Sequence, residues 1–280
     1  MAWKEVRVGR LTASVAHEIL HTNKENPSRS LLMRICNPRD SEVNAPSLKW
    51  GKENEKNGIK DYSLWMSQEH NNFEIKECGL LLCHDASFIG ATPDGIFSCK
   101  CHNLNNLIEV KCPYSLRETL SIEDVDRSKF FIDENDELRK NHKYYAQIQL
   151  QLHVLDVDIC HLVVWAPEWL IVVDVRKDGD FIKSMLSTFR KFYLENVIPE
   201  LLTRQIEKAT ESQPDTSTMA KKVQLYCYCQ SADDGEQDWI GCDAVGCKYE
   251  WFHQKCAKVK RPPRGNWYCK ECKAKKRKQK

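Results

Sequence analysis

The stretch ATPDGIFSCKCHNLNNLIEVKCPYS, residues 91 to 115, holds two short apolar runs separated by a polar loop. An acid stands just before the first run and a Glu-x-Lys pair lies inside the second. Each run has the length and the bounding turn residues of a β-strand, so the segment predicts a hairpin. Alternate residues of a strand share a face, which puts Glu109 and Lys111 on one side of the second strand and Ile108 and Val110 on the other. The apolar side goes to the core. The turn TPDG then places Asp94 beside the charged pair, where the first strand begins. Two carboxylates converging from neighbouring strands suit a hard divalent cation such as magnesium, and an adjacent ammonium can orient a water or stabilise charge developing on a phosphoryl group. Taken singly these signals also have ordinary readings: Pro-Asp-Gly is a common turn, and Glu-x-Lys on an exposed strand is commonly an ion pair in water.

Outward from the hairpin, LTASVAHEIL and SRSLLMRI read as short helices, and a longer helix runs from about Pro46 to Gln68 with Leu48, Ile59, Tyr62 and Trp65 at helical spacing. FEIKECGLLLCH joins GIFSCKC and LIEVKC in a meander. HKYYAQIQLQLHVL reads as a helix, ICHLVVWAP and WLIVVDVR as two strands, and DFIKSMLSTFRKFYLENVIPELL as a closing helix. Helices before, between and after a small mixed sheet predict an α/β domain. The polar segment EKATESQPDTSTMAKK lacks an apolar period and reads as a linker. The expected organisation is a first domain over 1–205, a linker over 206–222, a small unit over 223–273 and a basic tail over 274–280.

Of the 280 residues 41% are hydrophobic and 29% charged, which describes a globular chain and excludes a disordered one. No apolar run approaches the ~18 to 20 residues of a membrane helix, and MAWKEVRVGR lacks a signal peptide's apolar centre, so an intracellular protein with no membrane partner is expected. The net charge of +2 is uneven: from Lys258 onward nearly every charge is positive, ending in KAKKRKQK. That tail suits nuclear import or nucleic acid, or is a solvated terminus. Fourteen cysteines without a secretory leader point to reduced thiols or metal ligands. Seven are scattered, at Cys36, Cys78, Cys83, Cys99, Cys101, Cys112 and Cys160. Cys99 and Cys101 share a strand face, but their spacing to Cys78 and Cys83 is irregular, so Cys99, Cys101 and Cys112 are read as packing residues and not as ligands.

The other seven lie in a tight series with one histidine: Cys227-x-Cys229, Cys242-x4-Cys247, His253-x2-Cys256 and Cys269-x2-Cys272. Eight such ligands supply two closed tetrahedral zinc sites. A unit of this size buries little apolar surface, so metal binding would provide most of its folding energy.

In order along the chain, TPDG, LIEVKCPYS and HKYYAQIQLQLHV resemble the PD-(D/E)XK nucleases of the lambda-exonuclease-like, YqaJ viral recombinase family. WKEVRVGRLTAS resembles that family's start, and LKWGKENE its Trp-Gly-Lys helix with a further glutamate; the resemblance covers about residues 3 to 178. It implies a restriction-endonuclease-like core, a magnesium- or manganese-dependent DNA nuclease acting on duplex ends, and, as some relatives form rings, possible homo-oligomers. By this resemblance Asp94 and Glu109 are metal ligands, Lys111 lies near the attacking water, Glu55 completes the acidic cluster and Gln147 stands beside it. Arg7 and Ser14 match positions that bind the terminal phosphate of the DNA strand. Gly51, one turn before Glu55, leaves that helix face without a side chain.

The ligand order at the C-terminal end, with Trp267 two residues before Cys269, resembles a plant homeodomain (PHD) finger. That implies interleaved sites: Cys227, Cys229, His253 and Cys256 for one zinc, and Cys242, Cys247, Cys269 and Cys272 for the other. YCYC, IGCD, EWFH and RGNWYC further resemble fingers of the inhibitor-of-growth family, which bind the histone H3 tail trimethylated on its fourth-residue lysine. A trimethylammonium is held by aromatic faces, and the resemblance places Tyr226 and Trp251 on cage positions, Trp239 as a third wall and Asp243 opposite the tail's arginine. Two additional residues between Cys229 and Cys242 depart from that family's pattern. The implied partners are DNA and a methylated H3 tail, and the implied location is the nucleus. The other class of protein compatible with these features is a chromatin-binding module whose nuclease-like domain only holds DNA.

Overall fold

The structure, a computed structural model, describes residues 5–38, 46–101, 106–205, 227–229, 239–242, 244, 247, 249, 251–259 and 267–278. The chain divides into two compact units, Met1–Gln213 and Pro214–Lys280. Mixed sheets flanked by helices make the first an α/β unit, as expected.

Its centre is a five-stranded sheet in the order β2 (Glu74–Lys76), β5 (Gly95–Ser98), β6 (Asn106–Lys111), β7 (Ile159–Ala166), β8 (Trp169–Arg176). The quoted stretch forms the β5–β6 hairpin, with Gly95 opposite Ile108. Strand β6 pairs in parallel with β7, Glu109 beside Leu162. A parallel neighbour requires a crossover, and the crossover carries helix α4 (Lys143–Leu155). The interior strand β7 reads ICHLVVWA and is buried at six of its eight positions, the pattern of a strand covered on both faces.

Two helices cover those faces. Leu107, Leu162 and Val164 pack with Ile148 and Leu152 of α4. On the other side Ile108, Val110, Val163 and Trp165 pack with Tyr62 and Met66 of α3 (Pro46–Glu69). The buried stripe of α3 therefore runs through Gly58, Tyr62 and Met66, whereas Leu48 and Trp65 are 52% and 47% exposed. The reason lies at Gly58, where an added Cβ would stand 2.7 Å from Val110 Cγ1 and 3.3 Å from Trp165 Cβ. The helix comes closest to the sheet where it has no side chain, and that rotation fixes which residues face inward.

A second, smaller sheet is absent from the sequence-based expectation. β1 (Leu11–Thr12) pairs in parallel with β4 (Ile89–Ala91), and β4 pairs antiparallel with β3 (Leu81–Leu82). FEIKECGLLLCH is thus divided between two sheets and is not one arm of a meander. This sheet packs with α1 (Ala16–His21), α2 (Arg29–Cys36) and α5 (Gly179–Phe192) around Leu11, Ile19, Leu31, Ile35, Ile89 and Phe189. The closing helix is interrupted: after α5 comes a π-helical turn, Tyr193–Val197, and then α6 (Ile198–Thr203). Pro199 explains the break, because its ring and missing N–H disrupt a regular helical ladder.

The second unit contains an antiparallel pair, β9 (Trp239–Gly241) with β10 (Trp251–His253), then α7 (Gln254–Ala257) and α8 (Lys270–Lys278). Among the described residues those buried in it are Cys227, Ile240, Cys247, Phe252, His253 and Cys269. Among the described residues no helix is long and apolar enough to cross a membrane.

Candidate active site and metal clusters

Extending the hairpin register by one pair from Gly95 and Ile108 sets Asp94 across from Glu109. Asp94 Oδ2 accepts a hydrogen bond of 2.7 Å from Val110 N, which ties the carboxylate to the neighbouring strand. Glu109 is only 1% exposed, because α4 covers the strand face that carries it. A buried carboxylate needs partners for its lone pairs. Lys111 Nζ and Gln147 Nε2 both donate to Glu109 Oε1, and Gln151 Nε2 donates to Oε2 at 2.7 Å. The structure therefore brings Asp94, Glu109, Lys111 and Gln147 together.

Gln151 is a further site residue that the sequence reading did not single out. It lies one helical turn beyond Gln147 on the same face of α4, so the i, i+4 spacing of two glutamines was the available signal. Its Oε1 is buried with no hydrogen-bond partner among the described residues.

Burial and then the neighbouring Glu109 push the Asp94 carboxyl up to about 8, against the opposing pull of Lys111 and the Val110 amide, and Glu55 adds to the rise. Glu55 on α3 thus acts electrostatically on the same centre. Burial disfavours the charge on Lys111, but Glu109 and Asp94 outweigh it and raise its pKa above the ordinary lysine range. Its ammonium also sits 4.8 Å above the ring of Tyr144. The net arrangement is two carboxylates, Asp94 and Glu109, facing one fixed ammonium, with Glu55 acting on Asp94 from the neighbouring helix. An added Cβ at Gly51 would meet nothing within 4 Å, so the helix surface before Glu55 is open.

Arg7 and Ser14 also meet. Arg7 Nη2 donates to Ser14 Oγ at 3.4 Å and to Thr12 Oγ1 at 3.3 Å, with the two hydroxyls 3.2 Å apart. Thr12 is a third member that the sequence reading omitted. The turn after it, Ala13–Val15, packs on α4, the helix that clamps Glu109. Burial, followed by Lys143, His17 and Lys111, holds His142 down to about 4 at the start of α4.

In the second unit the ligand atoms of Cys227, Cys229, His253 and Cys256 lie within 4.8 Å of one another, as do those of Cys242, Cys247, Cys269 and Cys272. Sulfur and nitrogen donors in fours fit a tetrahedral, thiophilic ion. Trp239 and Trp251 stand on paired strands, Trp251 opposite Gly241 and Trp239 opposite His253, and their side chains lie outside the described atoms. Tyr226 and Asp243 lie outside the described residues.

The sequence pattern of the YqaJ-like viral recombinase domain matches residues 2–158. Among solved structures the chain is similar to an alkaline exonuclease (LHK-Exo) from Laribacter hongkongensis, at 19% identity and a TM-score of 0.55, over 75% of this chain and 99% of that one. The structure of LHK-Exo in complex with dAMP gives 17% identity and a TM-score of 0.56 over the same shares. At such identity the likeness establishes the fold. The C-terminal end is homologous to chromatin modification-related proteins. It is 55% identical over 49 residues to YNG2 of Saccharomyces cerevisiae, covering 18% of this chain and 17% of that protein. To png2 of Schizosaccharomyces pombe it is 51% identical over 59 residues, 21% and 19% of the two chains. The chain spans about a fifth or less of the length of these relatives.

Proposed function

Because this chain belongs to the YqaJ-like viral recombinase domain family, we propose that its first unit is a metal-dependent deoxyribonuclease that hydrolyses phosphodiesters at duplex ends. The observation that carries this reading is the meeting of Asp94 and Glu109 at one ammonium, Lys111, with Glu55 close enough to act on Asp94. The donor set is all oxygen and its negative charge exceeds that of the lysine, which fits magnesium or manganese. Asp94 and Glu109 would hold the ion. When bound, it polarises the phosphoryl oxygen and lowers the pKa of its water.

The other steps belong to the chain. Gln147 and Gln151 fix the two oxygens of Glu109, so the carboxylate meets its ligand already oriented. Lys111 remains protonated, and it contributes positive charge and a hydrogen bond where charge develops on the phosphate and where the attacking water sits. Arg7, Thr12 and Ser14 would bind the strand's terminal phosphate, with the charge near Lys143 drawing the polyanion toward the site.

In the second unit, the two sets of four ligands would each take a zinc ion, and the finger would dock on a methylated histone H3 tail in the nucleus. Tyr226, Trp239 and Trp251 would enclose the methylammonium and Asp243 would pair with the tail's arginine. Homology to the chromatin modification-related proteins supports this half of the reading.

The test uses the full chain, linear duplex DNA and magnesium. Wild type should release nucleotides, and Glu109→Ala or Lys111→Ala should slow release by about 10²- to 10³-fold. A wild type that binds duplex and releases nothing would make the first unit a DNA-holding module. For the finger, H3 peptides with and without lysine methylation are titrated, and equal weak binding of both excludes the reader role.

A further inference from the structure

Outside the sites described so far, a third cluster brings together His70, directly after α3, and Cys99 and Cys101, directly after β5. Their ligand atoms lie within 4.8 Å of one another. We propose that these three residues bind a zinc ion that fastens the C-terminal end of α3 to the outer end of β5. This corrects the reading of Cys99 and Cys101 as packing residues. A thiol that only fills space belongs among buried apolar groups, whereas Cys101 is exposed.

The distances carry the argument. With Zn–S of about 2.3 Å and Zn–N of about 2.0 to 2.1 Å, a tetrahedral ion sets a sulfur and a nitrogen about 3.6 Å apart and two sulfurs about 3.8 Å apart. Cys99 Sγ lies 3.6 Å from His70 Nδ1. The C-terminal clusters show the same edges: 3.8 Å between Cys247 and Cys269 sulfurs, and 3.3 and 3.8 Å from His253 Nδ1 to the sulfurs of Cys229 and Cys256.

A second shared feature concerns the backbone. Asn71 N donates to Cys101 Sγ at 3.0 Å, as Cys269 N does to Cys242 Sγ at 3.2 Å. An amide aimed at sulfur stabilises thiolate, the form that binds metal. The chain is already held in place for this, since Lys100 N donates to Asn71 O at 2.9 Å. Water can complete the tetrahedron around an ion that has three protein ligands.

The cluster is remote from the proposed nuclease centre. From Glu55 to the end of α3 at Glu69 the helix rises about 1.5 Å per residue, or about 21 Å. The inference therefore stands apart from the nuclease reading. Its role is structural: α3 and β5 carry Glu55 and adjoin Asp94, and the ion would tie the two elements together at their far ends.

Two measurements on the full chain test this. Elemental analysis of protein purified with zinc should find one zinc fewer per chain in Cys99→Ser/Cys101→Ser than in wild type, and a folded variant with unchanged zinc content overturns the proposal. Should that variant fail to fold, a chain carrying Cys227→Ser, Cys229→Ser, Cys242→Ser and Cys269→Ser, with the third cluster intact, is titrated with cobalt. A thiolate-to-cobalt absorption saturating at one equivalent is expected; carboxylate-bound cobalt gives no such band, so its absence overturns the proposal.

Discussion

The two units hold their functional residues in place by opposite means. In the first, three apolar clusters build a sheet between two helices, and the charged site is carried on a scaffold that is complete without it. In the second, three of the five buried residues of the apolar cluster among the described residues are cysteines, and those three are also metal-cluster residues, so ligands and core coincide. The lesson concerns order of cause: packing positions chemistry in the first unit, while in the second the ligand chemistry positions the packing.

Removing metal is the strongest way to break this contrast. A strong chelator should cost the second unit about 10 kcal/mol of folding free energy and erase its β9–β10 pair, while the β6–β7 pairing survives. Amide spectra before and after chelation read both at once, and joint collapse of the two sets would refute the distinction. The next largest effect should come from Gly58→Leu. It forces a side chain onto Val110 and Trp165 and should destabilise the first unit by roughly 2 to 3 kcal/mol in denaturant titration, leaving the second unaltered.

Gln151→Leu sharpens the comparison from within the site. It leaves Glu109 Oε2 without that donor, which should cost roughly 1 to 3 kcal/mol, offset in part by the loss of a buried oxygen with no partner among the described residues. The magnesium concentration for half-maximal digestion should rise about 10-fold or more, as for other residues that orient a metal ligand; unchanged metal dependence would remove Gln151 from the site. The smallest effect is Asp178→Ala, about 1 kcal/mol from the lost cap of α5. Hydrogen bonds from Lys140, then Phe181 N and Tyr145, hold the Asp178 carboxyl down to about 2. A depressed carboxylate contributes stability above its unfolded pKa and loses it as pH falls through the folded one. The gap between wild type and variant should therefore narrow as pH falls from about 4 to 2, and a constant gap would show that the charge contributes nothing.

The hairpin, the helix HKYYAQIQLQLHVL, the two strands after it and the cysteine series were all legible because each leaves a local period or spacing. What covers a strand face was not. Alternation placed Glu109 and Lys111 together but carried no sign that α4 buries the first to 1% exposure. The β1–β4 pairing escaped because strands of two and three residues have no period to read, and the partners, Leu11 and Ile89, are far apart in sequence. The stripe of α3 was misplaced because hydrophobicity marks Leu48 and Trp65, while the real contact is set by a missing side chain at Gly58. The third cluster draws on residues 70, 99 and 101, and only the return of β5 past the end of α3 makes their spacing meaningful.

The parallel pairing of β6 with β7 also has a kinetic consequence. The β5–β6 hairpin closes through contacts near in sequence and can form early, which brings Asp94 and Glu109 opposite each other. The clamp on Glu109 comes from Gln147 and Gln151, and β6 gains its other neighbour only when Ile159–Ala166 returns across the crossover. Such non-local closure is slow. During synthesis both acids therefore emerge before the amides that orient them, and a nascent chain ending before Lys143 has both acids and neither glutamine.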